Sequence, residues 1–257
     1  MTPNERDEVY QAAVNGLDRA VRNWNQVGNQ MLTATMLDSM GLEAYAKNES
    51  FIPGHRFVDA DKPEVDEFVA LVVDMRKSSD RLKKRVKFPG IEDGFQRVYY
   101  ETSALLPALA QTALHKDGHV TEYLGDGVLI LFKVDTENRV RSIRTAYTAA
   151  ARCVDTCRKI VNDLLFERFD LPGLDIGAGL SLSKAMVTMV GIPDNMQPKA
   201  IGQCVWEAAK LSGGYNKVHV SKVLRRAWPS TKGGTLRFTR LDPAKYNVKG
   251  FEVRTKS

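Results

Sequence analysis

Two aspartates lie at the ends of runs that read as buried strands. Phe68 to Val73 is an unbroken apolar run rich in β-branched residues, which predicts a strand covered on both faces, and Asp74 follows it directly. Asp126 lies in a Gly-Asp-Gly turn between two further predicted strands, Val120–Leu124 and Val128–Phe132. Because Asp-Gly is also a favoured pair in tight hairpin turns, turn chemistry is the alternative explanation for Asp126.

A pair of neighbouring carboxylates favours divalent-cation chemistry. Two such groups repel each other, and the repulsion grows where burial lowers the effective dielectric constant. A divalent cation removes that cost, and Mg²⁺ prefers oxygen ligands while keeping positions open for phosphate. We therefore predict that Asp74 and Asp126 bind Mg²⁺ next to a phosphate group.

The elements around the two acids follow the order of a ferredoxin-like βαββαβ core, in which the first and third strands lie side by side. That arrangement would bring Asp74 and Asp126 to one edge of the sheet. We predict an α+β fold with this core, extra strands and an N-terminal helical segment. Besides the hairpin, the predicted elements are the helices 95–114, 138–166 and 204–211, the strands 174–182 and 185–190, and a tail of short strands with one brief helix.

The first part of the chain has a different pattern. Apolar residues recur at helical spacing from Glu5 to Ala46, and Pro53 and Gly54 then interrupt the pattern. We predict an N-terminal helical segment, residues 1–55, and a main domain, residues 56–257. The segment would pack either on its own domain or on a partner subunit.

The composition is that of an ordinary globular protein, with 257 residues and a net charge of +6. The densest basic run, residues 76–87, would be a solvated surface or would bind nucleic acid or a nucleotide polyphosphate. Three cysteines without paired spacing argue against disulfides and zinc, and for a reducing compartment. No signal peptide or membrane-length apolar run is visible, so we expect a soluble cytoplasmic protein.

Four stretches, in order, resemble the class III nucleotidyl cyclases. FVALVVDMRKSS and VTEYLGDGVLILF resemble the two metal-site motifs of that family, VTMVGIP with PKAIGQCVWEAAKLSG resembles its third stretch, and YNVKGFEVRT its C-terminal strand. The resemblance covers about residues 67–255. It implies a nucleoside triphosphate substrate, two divalent cations (Mg²⁺ or Mn²⁺), and a head-to-tail homodimer with two sites at the interface.

The resemblance also assigns roles to individual residues. It makes Asp74 and Asp126 the metal ligands, with the carbonyl of Met75 completing the shell of the second ion. Ser79 keeps the hydroxyl of the phosphate loop, whereas Ser78 replaces an aromatic residue that is common there. The remaining triphosphate contacts would be the backbone N–H groups from Arg76 through Lys77 and Ser78 to Ser79, and the side chain of Lys249.

Two positions on the third stretch depart from the family. Trp206 and Lys210 stand where the family usually has a ribose-binding Asn and a transition-state Arg. Lys210 keeps the positive charge but lacks the bidentate guanidinium. Indole donates only one hydrogen bond, so Trp206 would either stack on the substrate or belong to the core.

The residues at the two base-reading positions are Glu122 and Lys199, a pair typical of neither adenylate nor guanylate cyclases. Glu accepts hydrogen bonds and Lys donates them, which suits uracil, with its N3–H between two carbonyls, and also suits guanine. The alternative is a salt bridge between Glu122 and Lys199 themselves.

This combination resembles the bacterial pyrimidine cyclases of the Pycsar anti-phage systems. We predict conversion of UTP, or CTP, to cyclic UMP or cyclic CMP. The alternatives are a guanylate or adenylate cyclase and a catalytically weak, cyclase-like nucleotide-binding dimer. An RNA-binding ferredoxin-like domain would need alternating exposed aromatics on its central strands, which the sequence lacks, so we expect no nucleic-acid or membrane partner.

Overall fold

The computed structural model describes residues 1–33, 49–84, 87–192, 194–229 and 234–255. The helices are α1 (Pro3–Thr33), α2 (Ser78–Lys83), α3 (Gly94–Leu114), α4 (Arg139–Arg152), α5 (Arg158–Phe169), α6 (Gln203–Leu211), α7 (Lys222–Ala227) and α8 (Pro243–Tyr246). The strands are β1 (Glu64–Met75), β2 (His119–Tyr123), β3 (Gly127–Lys133), β4 (Ile176–Ile192), β5 (Asn195–Gly202), β6 (Lys217–Ser221), β7 (Leu236–Arg240) and β8 (Gly250–Thr255).

All eight strands form one mixed sheet. Its order is β2-β3-β1-β4-β6-β8-β7, and β5 pairs separately with β4. The first four strands of this order are those of a ferredoxin-like core, so the predicted fold class is confirmed. β1 is an interior strand, antiparallel to β3 on one side and to β4 on the other.

Successive side chains of β1 enter two different cores, which explains its unbroken apolar run. Val69, Leu71 and Val73 belong to the larger core, which the long helices cover. Phe68 and Ala70 point to the opposite face of the sheet and belong to a second core, which also contains residues of β4, β5 and α6. The prediction of a strand buried on both faces is confirmed.

Helix α1 packs on its own chain. Val9, Ala13 and Leu17 are fully buried in the larger core. Gly16 allows α1 to approach α3 closely, because a Cβ atom at this position would fall 2.0 Å from the carbonyl oxygen of Ser103. The N-terminal segment was predicted to pack either on its own domain or on a partner subunit, and the structure shows α1 packed on its own domain. The predicted continuation to Ala46 lies outside the described residues, and the boundary near residue 55 stays a prediction.

The region predicted as two strands, 174–182 and 185–190, is a single strand of 17 residues, β4. Ser183 and Lys184 looked like a break, but both remain paired with β1. The Ser183 hydroxyl accepts a hydrogen bond from the Cys204 N–H (2.9 Å) in the first turn of α6, whose N-cap is a glycine without a capping side chain. The polar residue therefore caps a helix rather than ending a strand.

Two other predicted helical regions differ in detail. The helix predicted over 138–166 contains a π-helical turn, Cys153–Cys157, and extends to Phe169. The C-terminal tail contains two brief helices, α7 and α8, where one was predicted. None of the described helices combines the length and apolar composition needed to cross a bilayer.

Candidate active site

The structure brings Asp74 and Asp126 together where β1 and β3 meet. Asp74 is opposite Gly127 in the antiparallel register, and the Met75 N–H donates to the carbonyl of Asp126 (3.1 Å). A Cβ atom at Gly127 would lie 2.7 Å from the Val73 carbonyl oxygen and 3.0 Å from Asp74 Oδ1. The second glycine of Gly-Asp-Gly therefore allows the two acids to approach, in addition to its place in the turn.

The electrostatics of the pair are those of an incompletely neutralised negative site. The pKa of Asp74 is raised to about 6, first by burial and then by the neighbouring charge of Asp126. Arg76 opposes this shift, because its Nη1 donates to Asp74 Oδ2 at 2.7 Å. Arg76 therefore pairs with only one of the two neighbouring carboxylates, that of Asp74.

The donor chemistry of this pair fits a hard divalent cation. Two carboxylates, with the Met75 carbonyl at the same strand end, are all oxygen donors, and the raised pKa of Asp74 shows that added positive charge would be favourable. Within the described ranges, no group of three or more His, Cys, Asp or Glu side chains could hold a metal ion. The rest of a coordination shell would come from water and phosphate, as is usual for Mg²⁺.

The predicted phosphate loop is the start of α2. Lys77 has left-handed backbone angles (φ 60°, ψ 29°) and directly precedes Ser78, the first residue of α2. The N–H groups of a first helical turn have no partner within their own helix, which leaves those of Ser78 and Ser79 for a ligand. The N–H of Arg76, by contrast, already donates to the carbonyl of Asp175 at 2.8 Å.

Glu122 and Lys199 form an ion pair, with Oε2 and Nζ 3.0 Å apart. Their strands are not neighbours in the sheet, since β2 is at one edge and β5 pairs only with β4. The salt bridge named above as the alternative is thus present in this chain. Each side chain is still about one-third exposed (29% and 31%), so the pair remains accessible to a ligand.

Trp206 and Lys210 lie one turn apart on the exposed side of α6. Trp206 is 49% exposed, so it is not a core residue in this chain. Lys249 is exposed and immediately precedes β8, which β4 and β6 separate from β1. Three strand spacings, about 14 Å, therefore lie between β8 and β1 of the same protomer.

One residue near the site was not found from the sequence. The ring of Tyr215 lies beside the strand end that carries Arg76 and Lys77, and each of these cations is 5.8 Å from the ring centroid. Tyr215 belongs to the turn between α6 and β6, for which the sequence shows only Gly213, Gly214 and Asn216 as turn residues. Nothing in that pattern indicated which strand the turn would contact.

No family model matches the sequence, and no curated protein does. Solved structures do match, and they define the fold as that of the class III cyclase catalytic domain. The guanylyl cyclase Cya2 has a TM-score of 0.59 at 17% identity, with 76% of this chain and 94% of that chain covered.

Two further structures give the same result. The adenylyl cyclase CyaB from P. aeruginosa has a TM-score of 0.61 at 13% identity, covering 76% of this chain and 97% of that one. The guanylate cyclase domain of RhGC from Catenaria anguillulae, in complex with GTP, has a TM-score of 0.53 at 14% identity, covering 76% and 100%. At such low identities the likeness establishes the fold.

Proposed function

We propose that the protein is a nucleotidyl cyclase that converts UTP, or CTP, to the 3′,5′-cyclic monophosphate and pyrophosphate. The observation that carries this proposal is the Asp74–Asp126 pair where the ends of β1 and β3 meet, with the pKa of Asp74 raised to about 6. The fold shared with adenylyl and guanylyl cyclases supports the same reaction class.

In the proposed reaction the ribose 3′-oxygen forms a bond to the α-phosphorus. The bond between the α-phosphorus and the oxygen that bridges to the β-phosphorus breaks, and that oxygen leaves with pyrophosphate. The 3′-hydroxyl proton passes to solvent. Asp74, Asp126 and the Met75 carbonyl would hold two divalent cations, Mg²⁺ or Mn²⁺. Bound there, the cations would lower the pKa of the 3′-hydroxyl and offset charge on the phosphates.

The other residues would bind and orient the triphosphate. Ser79, with the amides of Lys77 and Ser78, would contact its oxygens at the start of α2. Lys249 would contact the same group, and Lys210 would stabilise negative charge that develops as the leaving bond breaks. Trp206 would stack on the sugar or base, which its exposure permits.

We propose that the Glu122–Lys199 pair reads the base while remaining paired. Only one carboxylate oxygen of Glu122 is used by Lys199. The other can accept from N3–H of uracil, and the ammonium of Lys199 keeps donors for a neighbouring carbonyl. Cytosine and guanine also offer a donor next to an acceptor, so CTP is included and a guanylate cyclase is the first alternative.

The experiment that tests this proposal is incubation of the purified protein with Mg²⁺ or Mn²⁺ and each of the four nucleoside triphosphates, with mass spectrometric identification of the product. Cyclic UMP or cyclic CMP is expected, and its formation should disappear in Asp74→Ala and Asp126→Ala. Cyclic GMP or cyclic AMP as the main product would contradict the pyrimidine assignment. Full turnover by both variants would contradict the mechanism.

A second candidate is a cyclase-like dimer that binds nucleotide without converting it. The observation that favours it is the pair Trp206 and Lys210, which departs from the Asn and Arg of the resembled family. Binding of a nucleoside triphosphate without release of pyrophosphate would support this candidate.

We further propose a wider role, in the cytoplasm, as the signal generator of an anti-phage defence system. The resemblance of the sequence to pyrimidine cyclases of such systems supports this role. The test is phage plating on cells that carry the wild-type gene or the Asp74→Asn variant within its own operon. Equal plaque counts for both strains with every phage tried would contradict it.

A further inference from the structure

Tyr215 lies next to the strand end that carries both acids and the phosphate loop. Its ring centroid is 5.8 Å from the Arg76 guanidinium carbon and 5.8 Å from Lys77 Nζ, so two cations share one aromatic ring. Tyr215 is 44% exposed and Lys77 is exposed, whereas the Arg76 side chain is 23% exposed beside Asp74. Aromatic rings attract cations at this range through their quadrupole.

The position of Tyr215 is fixed by its neighbour. Asn216 has a left-handed φ of 52°, and its N–H donates to the Ile176 carbonyl at 2.7 Å. Its side chain accepts from the Ile176 N–H (3.2 Å) and donates to the Asp175 carboxylate (2.6 Å). Since Asp175 also accepts the Arg76 N–H, the turn and the phosphate loop are tied to the same point of the chain.

Close packing holds this turn against the start of β4. A Cβ atom at Gly177 would fall 2.0 Å from the Ser212 carbonyl oxygen and 2.3 Å from that of Gly214. The turn therefore cannot move away from β4 without breaking the Asn216 hydrogen bonds. The ring of Tyr215 is held beside Arg76 and Lys77 before any ligand arrives.

The present partner of Arg76 is Asp74. A divalent cation bound to Asp74 and Asp126 would repel the guanidinium from that carboxylate. The face of Tyr215 is the second contact that the structure offers to Arg76, on the side of the loop. There Arg76 and Lys77 would present two positive charges next to the amides at the start of α2.

We propose that Tyr215 is a positioning residue for the pyrophosphate portion of the substrate, acting by holding Arg76 and Lys77 over its ring. The inference rests on the proposed function and adds a residue to it. The hydroxyl of Tyr215 is not needed for this role, whereas the aromatic ring is. Tyr215→Phe and Tyr215→Leu therefore separate the two parts of the side chain.

The test is titration of inorganic pyrophosphate into the Mg²⁺-loaded full-length protein by isothermal calorimetry. Tyr215→Phe is expected to bind within about twofold of wild type, and Tyr215→Leu about 5-fold to 30-fold more weakly, because Arg76 and Lys77 are then no longer ordered before the ligand binds. Phe57→Leu is the matched control, since Phe57 is an exposed ring with Arg56 above it at 5.5 Å. The Phe57→Leu variant should bind pyrophosphate with wild-type affinity.

A second variant makes the result independent of folding defects in Tyr215→Leu. Lys77→Gln removes one cation and leaves the ring in place. If Tyr215 acts through the cations, Tyr215→Leu should weaken pyrophosphate binding less in the Lys77→Gln background than in the wild type. Strict additivity of the two losses, or wild-type affinity in folded Tyr215→Leu, would overturn the inference. Equal losses in Tyr215→Phe and Tyr215→Leu would overturn it as well.

Pyrophosphate binding needs no turnover, so the two proposals fail separately. If the wild type forms cyclic nucleotide but the Tyr215 variants bind pyrophosphate with wild-type affinity, the positioning role is wrong and the cyclase proposal stands. If no nucleoside triphosphate is converted but the affinity follows the expected order, the cyclase proposal is wrong and the phosphate-binding role of Tyr215 stands.

Discussion

At the scale of single residues, the environment of Asp74 lowers the stability of the metal-free protein but favours the binding of a cation. Burial and the charge of Asp126 raise its pKa to about 6, so the carboxylate form is less favourable than that of an ordinary aspartate in the metal-free protein. The same features make the site attractive to a divalent cation. Function at this position is therefore expected at the expense of stability.

We expect metal affinity to depend on pH around the pKa of Asp74. Below about pH 6 the folded protein holds a proton on Asp74, and that proton must leave before a cation binds. The affinity for Mn²⁺, measured by calorimetry from pH 5 to pH 8, should fall as the pH drops through 6. A flat profile over this range would contradict the raised pKa.

The contribution of Asp74 to the stability of the metal-free protein should change with pH in the opposite direction to the metal affinity. Because the folded pKa lies above the ordinary value, the folded state binds more protons than the unfolded state between about pH 4 and pH 6. The contribution of Asp74 to stability therefore increases as the pH falls through 6 and is lost above it. The difference in melting temperature between the wild type and Asp74→Asn, measured across this pH range, gives the contribution of Asp74.

Asp74→Asn should raise the melting temperature of the metal-free protein at pH 8 and abolish Mn²⁺ binding. The gain is on the order of 1 kcal/mol, since the variant loses the repulsion but also the ion pair with Arg76. Asp66→Asn is the matched control on the same strand. Hydrogen bonds from Lys133 and His55 lower the pKa of Asp66, so its replacement should lower the melting temperature and leave Mn²⁺ binding intact.

At the scale of elements, a buried ion cluster fixes α2, which carries part of the proposed phosphate loop. Glu101 on α3 is fully buried and accepts from Arg81 of α2 (2.6 Å) and from Arg97 (2.9 Å). Gly94 brings the two helices together, since a Cβ atom there would lie 2.4 Å from the Arg81 carbonyl oxygen. The orientation of Ser78 and Ser79 depends on this contact.

Glu101→Gln should destabilise the protein by about 3 kcal/mol, because two largely buried guanidinium groups lose their counter-ion. Urea unfolding measures the loss, and hydrogen exchange should show faster opening of α2. Glu92→Gln, an exposed substitution near the start of the same helix, is expected to change stability by less than about 0.5 kcal/mol. Similar losses for both variants would argue against a special role of Glu101.

The sequence predicted elements whose pattern is local. The apolar run of β1 was readable because both of its faces are buried, and the order of elements sufficed for the neighbouring positions of Asp74 and Asp126. Contacts between segments that are distant in the sequence could not be predicted from it. Tyr215 reaches Arg76 only through the Asn216 turn, and Ser183 looked like a strand break because its helix-capping role lies 21 residues further on.

At the scale of the whole molecule, we propose that two copies of the chain form the site together. Lys249 is separated from β1 of its own protomer by two strands, which agrees with a role in the site of a partner. Val65, Met186 and Ile201 are cross-strand neighbours and are 58%, 46% and 58% exposed. Such an apolar row on a surface fits a subunit contact.

Complementation tests the head-to-tail homodimer. Asp74→Asn and Lys210→Ala should each be inactive, and co-expression of both variants should restore turnover, because the mixed dimer contains one site with neither change. With random pairing, roughly a quarter of the wild-type activity is expected. No recovery in a verified mixed dimer would show that both residues serve the same site within one chain.

The proposed base-reading role of the Glu122–Lys199 ion pair has a consequence for how substrate choice would change during evolution. Because the pair forms within one chain, its charges can be exchanged together, as in Glu122→Lys with Lys199→Glu, without loss of the salt bridge. Such a double variant should keep the wild-type melting temperature and bind uridine nucleotides more weakly, since donor and acceptor trade places. Under this proposal, a lineage would move from one base to another by coupled substitutions that preserve the salt bridge and the fold.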